Sequence, residues 1–600
     1  MEELIRAISS LLSTSKVRNG ELDYIEEARE KAEVLEYHFD TDYPDDLLRT
    51  QHPSEEAWMK EYRRRRWQPV TMSSTGRIYI FLQKIQQADD FKIKFKKDFA
   101  ETGIVEFVDG QPNTLADYVT FQLPKFKNLE TWTFNVFLKT YLQDANAIVL
   151  MLPDIDDWIE QPELIQLDFT KPYPQIFDSE DLIYEDDNVV IVKVEEYCDA
   201  SGREWDQFMA IHEGGILLYR QVMPYEKSVF SFEIYSQEFN FRRLPVVKVG
   251  NIIDEVEDGH LLYDSILAPC LPAWNEALYR TDDLNIIWAI HALPQKWMVK
   301  TSNCKTCKGS GQTKSKNNEL IGCGTCNGSG LDSATPFGVV EVNLPKASAL
   351  QPNPVNIPTP PMGYIERPLD SVDAFKKDIE DKIYQGFQAI GLEILTQIPS
   401  NQSGIAKEYD RKEINTFCYS VAVHLSAVYE HLCELILLQR YSGLVDSGLL
   451  NYEKQIAALP QITVPTDFDV LTTSMIGDML STARNNNFNP IIINGIEMDY
   501  TEKLYGENSY QLTVLKLVNK LDPLPFKKPD EKMAIKESMG CTEIDYIMST
   551  YLPAFIAQLI DANPDFVKMP MPEQKALLIG LSQIKLDEIK AGIVPIMPVG

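Results

Sequence analysis

Long apolar runs are missing from this chain: no window approaches the roughly 18 uninterrupted apolar residues needed to span a bilayer, so a soluble protein with no membrane contact is expected. Positive charge is in deficit. The 57 Lys and Arg stand against 89 Asp and Glu, a formal net charge of −32. That balance excludes a protein that coats nucleic acid by counterion release, because that mode needs clustered cations. Any contact with DNA has to be local or sterically enforced. The N-terminal "MEELIRAISSLLSTSKVRNGELD" lacks the basic segment and apolar run of a secretory signal. Histidine is scarce, with 7 residues in no metal-ligand or triad spacing. His212-Glu213 has Ile216 where H-E-x-x-H needs its second histidine. Other catalytic frames are missing too. Ser403-Gly404 lacks G-x-S-x-G, and "GSGQTKS" has Thr313 where a phosphate-binding loop needs glycine. The acidic groups Asp154, Asp156, Asp157 and Glu185, Asp186, Asp187 read as solvated loop charges rather than Mg²⁺ ligands.

Cysteine is also sparse, but its placement is informative. Of 9 cysteines, Cys198, Cys270, Cys418, Cys433 and Cys541 stand singly, which suits a reducing compartment and cytosolic synthesis. The other four lie in "CKTCKGSGQTKSKNNELIGCGTCNGSG", from Cys304 to Gly330. Cys304, Cys307, Cys323 and Cys326 have the C-x2-C-x15-C-x2-C spacing of a structural zinc site, in which each pair grips the ion from one turn. Four thiolates leave no open coordination position, so the expected Zn²⁺, one per chain, is a staple and not a catalyst. Gly309, Gly311, Gly322, Gly324, Gly328 and Gly330 let the chain turn tightly around each pair, often with positive φ. So small a module needs the metal in order to fold.

Apolar content of 44% supports sizeable cores. "FKIKFKKDF" alternates Phe91, Ile93 and Phe95 with lysines and reads as a half-buried strand. Arg63 to Arg66 form a basic run that reads as a solvated helix face or a subunit contact. "NVVIVKVEEY", "FMAIHEGGILLYRQV", "SVFSFEIYSQEF" and "LPVVKVG" predict a small antiparallel sheet. A helix with Trp274, Leu278, Ile287 and Trp288 follows, beginning near Pro269 and Pro272 and stopping at Pro294. After the cysteine module, "VVEVNLPKASALQPNPVNIPTPPMGYIERP" predicts extended strand and linker. Val372, Phe375, Ile379, Ile383, Phe387 and Ile390 share one helical face, with Gly391 as the stop. Ile414, Phe417, Val421, Leu425, Val428, Leu432 and Ile436 share another, and the C-terminal end is mostly helical.

Two resemblances follow. The cysteine module resembles the cysteine-rich region of DnaJ-type co-chaperones over fewer than thirty residues, down to the G-x-G after each pair. It has two repeats where those proteins carry four, and His52-Pro53-Ser54 stands where a J-domain has His-Pro-Asp. The remainder resembles a tailed-bacteriophage portal protein. "HPSEEAWMKEYRRRR", "LPVVKVGN" leading into "YDSILAPCLPAWNEALYRTDDLN", and "SNQSGIAKEYDRKEINTFCYSVAVHLSAVYEHL" carry that resemblance, together with the order of elements.

The portal resemblance implies an α+β, portal-like fold. Its parts would be a mixed α/β wing with antiparallel strands (1–263), a stem helix (264–293), a small α/β clip (294–369) with the zinc module (304–330) inserted, and a second stem helix (370–391). A tunnel loop (392–412, centred on Leu395 to Tyr409), a wing segment with a long helix from Ile414 to Gln439 (413–505) and a helical crown (506–600) complete it. The implied function is non-enzymatic: a ring, dodecameric in the family, at one capsid vertex of the virion, assembled in the host cytoplasm. It would pass double-stranded DNA during packaging and ejection, and would contact the major capsid protein, the terminase large subunit and head-tail adaptor or neck proteins. Lys407, Arg411 and Lys412 then either touch passing phosphates or form ion pairs between subunits. Two alternatives stand beside this: a zinc-ribbon, chaperone-like protein-binding module, and a nucleic-acid enzyme with a structural zinc ribbon.

Overall fold

The structure is a computed structural model, and it describes residues 2–48, 55, 57–88, 91–95, 106–108, 111–126, 128–199, 201–222, 232–257, 259–291, 295–299, 304–314, 320–325, 339–342, 362–365, 370–396, 404–466, 468, 473–486, 488–506 and 509–592. The fold is mixed α+β, in two compact units, Met1–Phe468 and Asp469–Gly600. The second unit starts at Asp469, at the end of the Pro-interrupted "ALPQITVPTDFDV". Helices Thr473–Asn485 and Pro490–Tyr505 therefore belong to it, ahead of the 505/506 boundary read from sequence.

In the first unit the main strands are β1 (Ile148–Leu152), β2 (Tyr173–Phe177), β3 (Leu182–Glu185), β4 (Val189–Cys198), β5 (Glu204–His212), β6 (Gly215–Gln221), β7 (Phe232–Glu238), β8 (Val246–Lys248) and the paired β9 (Ile252–Glu257) and β10 (His260–Asp264). Strands β3 to β7 form an antiparallel meander in the order β7-β6-β5-β4-β3. Its inner strands carry continuous apolar runs, Val189–Val192, Phe208–Ile211 and Ile216–Tyr219, because both faces are covered there, whereas the edge strand β7 is half exposed. Val190, Val192, Met209 and Leu218 pack with Tyr24, Ile25 and Ala28 of helix α2 (Asp23–Glu36). Val189, Ile191, Phe208 and Leu217 pack with Ile8 and Leu12 of the amphipathic N-terminal helix α1 (Glu2–Ser13). The strand read in "LPVVKVG" belongs elsewhere. As β8 it pairs with β1, itself paired with β2, in a separate three-stranded sheet. The "FKIKFKKDF" strand forms as expected, pairing Lys92–Lys94 antiparallel with Gln461–Thr463, with the lysines outward.

Helix α3 (Ala57–Arg66) precedes two helices that pack against each other, α4 (Leu271–His291) and α5 (Asp370–Ala389). A 3₁₀ turn at Ala268–Cys270 leads into α4, in keeping with the early prolines. Of the six residues assigned to one face, five lie on α5 and Ile390 in the turn just after it, and all six are buried or half-buried. Gly391, at φ +70°, terminates that helix as expected: its N–H reaches the Gln388 carbonyl at 3.1 Å and the Leu392 N–H reaches that of Phe387 at 2.9 Å.

The contact between α4 and α5 centres on Gly386. A Cβ there would sit 2.1 Å from Nε1 of Trp274, a side chain wholly buried between Phe387 and His38. Glycine inside a helix costs about 1 kcal/mol relative to alanine, so its presence answers a steric demand. Gly386→Ala is expected to destabilise the first unit by about 1–3 kcal/mol despite the gain in helix propensity. Thermal denaturation should show a lower midpoint that Trp274→Leu partly restores in the double variant. An unchanged or raised midpoint would contradict this packing.

His38 joins the same junction. Its Nε2 lies 3.0 Å from Asn275 Oδ1 and its Nδ1 2.8 Å from Thr71 Oγ1. The neutral ring satisfies both, donating to the amide oxygen and accepting from the hydroxyl. Burial, only partly opposed by the Asn275 hydrogen bond, pushes its pKa down from 6.5 to about 4. A depressed histidine stabilises the fold above pH 6.5, and that contribution is lost as the pH falls through 4. It amounts to about 3 kcal/mol in total. His38→Gln should therefore be less stable than the parent at pH 7.5, with the gap shrinking at pH 4 in a pH series of melting temperatures. A constant gap would rule the linkage out.

The long helix α6 spans Gly404–Arg440. Its stretch Lys412–Arg440 is long and apolar enough to cross a membrane, yet 61% of the most apolar window is buried within the protein. Val421, Leu425, Leu432 and Ile436 form the spine of the largest core, with Trp132, Phe137 and Trp274. The helix begins ten residues before the Ile414 start read from sequence, so residues 404–412 of the expected tunnel loop are helical. Within 392–396 the chain makes a short 3₁₀ turn, Glu393–Leu395, and 397–403 lie outside the described residues.

The second unit is all helical among its described residues. Its core gathers Leu517, Leu521, Leu552, Phe555, Ile556, Phe566 and Leu578. A capping box of Thr542 and Asp545 starts its Glu543–Ala562 helix.

Candidate metal centre

Beyond α4 the chain enters strand β11 (Gln295–Val299). It then makes a small hairpin of β12 (Gln312–Lys314) and β13 (Leu320–Gly322), and returns to strands β14 (Val339–Val342) and β15 (Met362–Ile365) before α5. Strand β11 is central in a three-stranded sheet, parallel to β14 and antiparallel to β15. Parallel neighbours require a long crossover, ordinarily helical. Here the crossover from 299 to 339 carries the cysteine module instead.

Local chain geometry brings the thiols together. The hairpin pairs Gln312 with Gly322 and Lys314 with Leu320, so Cys323 returns beside the first turn, its N–H on the Gly311 carbonyl at 2.9 Å. The turn after Cys307 is left-handed at Lys308, Gly309 and Gly311, with φ of 53°, 93° and 68°. Ser310 closes it: its N–H meets the Cys307 carbonyl at 3.0 Å, and its Oγ lies 2.8 Å from the carbonyls of both Cys307 and Gln312. Glycine's freedom is thus used at 309 and 311. Gly322 and Gly324 have no positive φ, and Gly328 and Gly330 lie outside the described residues.

Cys304 and Cys323 are fully buried, Cys307 nearly so, and their sulfurs lie within 4.8 Å of one another. Tetrahedral Zn–S bonds of about 2.3 Å put sulfurs about 3.8 Å apart, so this cluster has the size and chemistry to hold a thiophilic ion. Cys326 lies outside the described residues. Within 304–314 and 320–325 the buried residues are the three cysteines and Gly311, with no aliphatic side chain among them. The thiols are the module's core.

The other candidates behave differently. The side chains of Lys407 and Arg411 lie outside the described residues, while Lys412 is exposed on the helical part of α6. The arginine run is not a uniform solvated face. Arg63 is buried between Glu55 and Asp282, Arg64 pairs with Asp45, Arg65 pairs with Glu61 one turn back, and Arg66 lies over the Tyr62 ring. Asp154 and Asp156 share Lys125 at 3.1 and 2.7 Å, Glu185 pairs with Lys248, and Asp186 accepts the N–H groups of Asn188 and Val189. These acids are engaged locally. His212 accepts the Gly214 N–H at its Nδ1, as a residue of the β5–β6 turn.

Sequence reading missed the buried Arg63 network. Its partners are 8 and 219 residues away, and nothing in a run of four arginines distinguishes the first. A scan against protein-family models and a search among curated proteins give no match to this sequence.

Proposed function

We propose that the chain is a non-enzymatic subunit of a portal-type ring, and that its cysteine module is a zinc staple set into the clip. The observation that carries this reading is one of order. Two closely packed helices, α4 and α5, bracket a small sheet, and the return helix is followed by a short break and a long core helix, with a separate helical unit at the C-terminal end. The portal resemblance implies that succession of stem, clip, stem, tunnel loop, wing helix and crown. The helix pair also carries half-exposed aromatic residues, Tyr279, Trp288 and Tyr384, a surface that neighbouring subunits in a ring would cover. A net charge of −32 suits a channel wall along which DNA moves without sticking.

On this reading the ring, dodecameric in the family, occupies a capsid vertex of the virion, with the major capsid protein around it and the terminase and head-tail adaptor docking on it in turn. Cys304, Cys307 and Cys323 would hold Zn²⁺, with Cys326 as the fourth ligand of a closed structural site. Lys407, Arg411 and Lys412 would lie at the first turns of α6, near the channel. Light scattering and electron microscopy of the purified full-length chain test the proposal. A ring with a central channel is expected; a stable monomer under assembly conditions would sink it.

A further inference from the structure

We propose that the β12–β13 hairpin is a docking surface for an acidic polypeptide segment bearing aliphatic side chains. This rests on the reading of the module as a metal-held hairpin and adds the chemistry of what it binds. Charge is the first argument. Between 300 and 326 stand Lys300, Lys305, Lys308, Lys314 and Lys316 against Glu319 alone, a local excess of cations in a chain whose net charge is −32. Lys305, Lys308 and Lys314 are exposed. The second argument is apolar surface. Leu320 and Ile321, adjacent on β13 and so on its opposite faces, are 65% and 50% exposed, and among the described residues of the module the buried ones are three cysteines and Gly311, which offer them no aliphatic contact.

Leu320 shares a face of the hairpin with its cross-strand partner Lys314, and an exposed aliphatic side chain beside a cation matches a partner with the opposite sign and the same apolar content. Nucleic acid fits less well. Residues 304–330 contain no Phe, Tyr, Trp or Arg to stack on bases or fork onto phosphates, and the surrounding chain would repel a polyanion as long as DNA. A short acidic segment meets the hairpin alone.

The test uses the full-length protein and a short fluorescent peptide alternating Glu and Leu, with a Lys-Leu peptide and duplex DNA as comparisons, read by anisotropy. The Glu-Leu peptide is expected to bind, more weakly as salt is added. Lys305→Glu, Lys308→Glu and Lys314→Glu together should lower that affinity by about tenfold or more. Leu320→Ser with Ile321→Ser should lower it by about tenfold without altering charge. Preference for duplex DNA, or equal binding of the Lys-Leu peptide, would overturn the proposal. Zinc content is measured on every sample. Zinc-loaded parent protein that ignores the Glu-Leu peptide overturns the docking surface alone, whereas a native protein without zinc overturns the metal reading beneath it.

Discussion

Replacing Arg63 with alanine is expected to cost the first unit about 3–5 kcal/mol, the penalty for leaving buried charge without its partner. The Arg63 side chain has no exposed surface, and those of Glu55 and Asp282 are 2% and 5% exposed. The guanidinium meets Glu55 through two parallel bonds, Nε to Oε1 at 2.7 Å and Nη2 to Oε2 at 2.8 Å. Its Nη1 reaches Tyr43 Oη at 2.6 Å and also Asp282 on α4. Tyr43 Oη in turn lies 3.2 Å from the other Asp282 oxygen. Removing the arginine would strand two carboxylates in a space water does not reach. Lysine should rescue little, because a single ammonium cannot reproduce the planar two-bond fork. A neutral replacement of the set, Arg63→Met with Glu55→Gln and Asp282→Asn, should recover much of the loss, since no charge is then left unpaired. Melting curves, with hydrogen exchange over 57–66 and 271–291, would measure both effects. An Arg63→Ala protein as stable as its parent would show that these groups are solvated in solution.

The buried guanidinium also illustrates where sequence reading reaches and where it stops. Periodicity identified α5 residue by residue, and its glycine stop, because the covering partners impose one apolar stripe and the C-terminal cap is a local backbone event. The meander was legible as strands for the same local reason. Pairing is not local: "LPVVKVG" has the composition of a meander strand, but its partner is β1, about a hundred residues earlier in the chain. The start of α6 was hidden because 404–412 are mostly polar, so the helix continues past the point where its apolar stripe fades. At the cysteine cluster, spacing named four candidate ligands, and the structure gathers the three that it describes within metal-binding distance of one another. What spacing could not disclose is that the described residues of the hairpin bury no aliphatic side chain, or that Leu320 and Ile321 are exposed.

A module whose described residues bury thiols and no aliphatic side chain makes the second large effect local. Cys304→Ser together with Cys323→Ser would remove two of the thiols proposed to hold zinc, both wholly buried, and a hydroxyl is a poor substitute for a thiolate on zinc. With no buried aliphatic side chain among its described residues, the hairpin should lose its structure, and bound zinc should fall from about one per chain to none. The helices that flank it in the chain hold a different core: α4 and α5 are joined through Trp274, Gly386 and Phe387, none of them in the module. Far-ultraviolet circular dichroism and the main melting transition should therefore change little, while hydrogen exchange accelerates over 304–325. Thiol reactivity gives a sharper internal control. Burial pushes the Cys270 and Cys418 thiols up to about 12, so they should stay inert in both proteins. In the variant Cys307 and Cys326 should react quickly, whereas in the parent they should react only after a chelator strips the ion. Collapse of the whole unit would refute the view that the module is an insertion, and rapid labelling of all four cysteines in native parent protein would refute the staple.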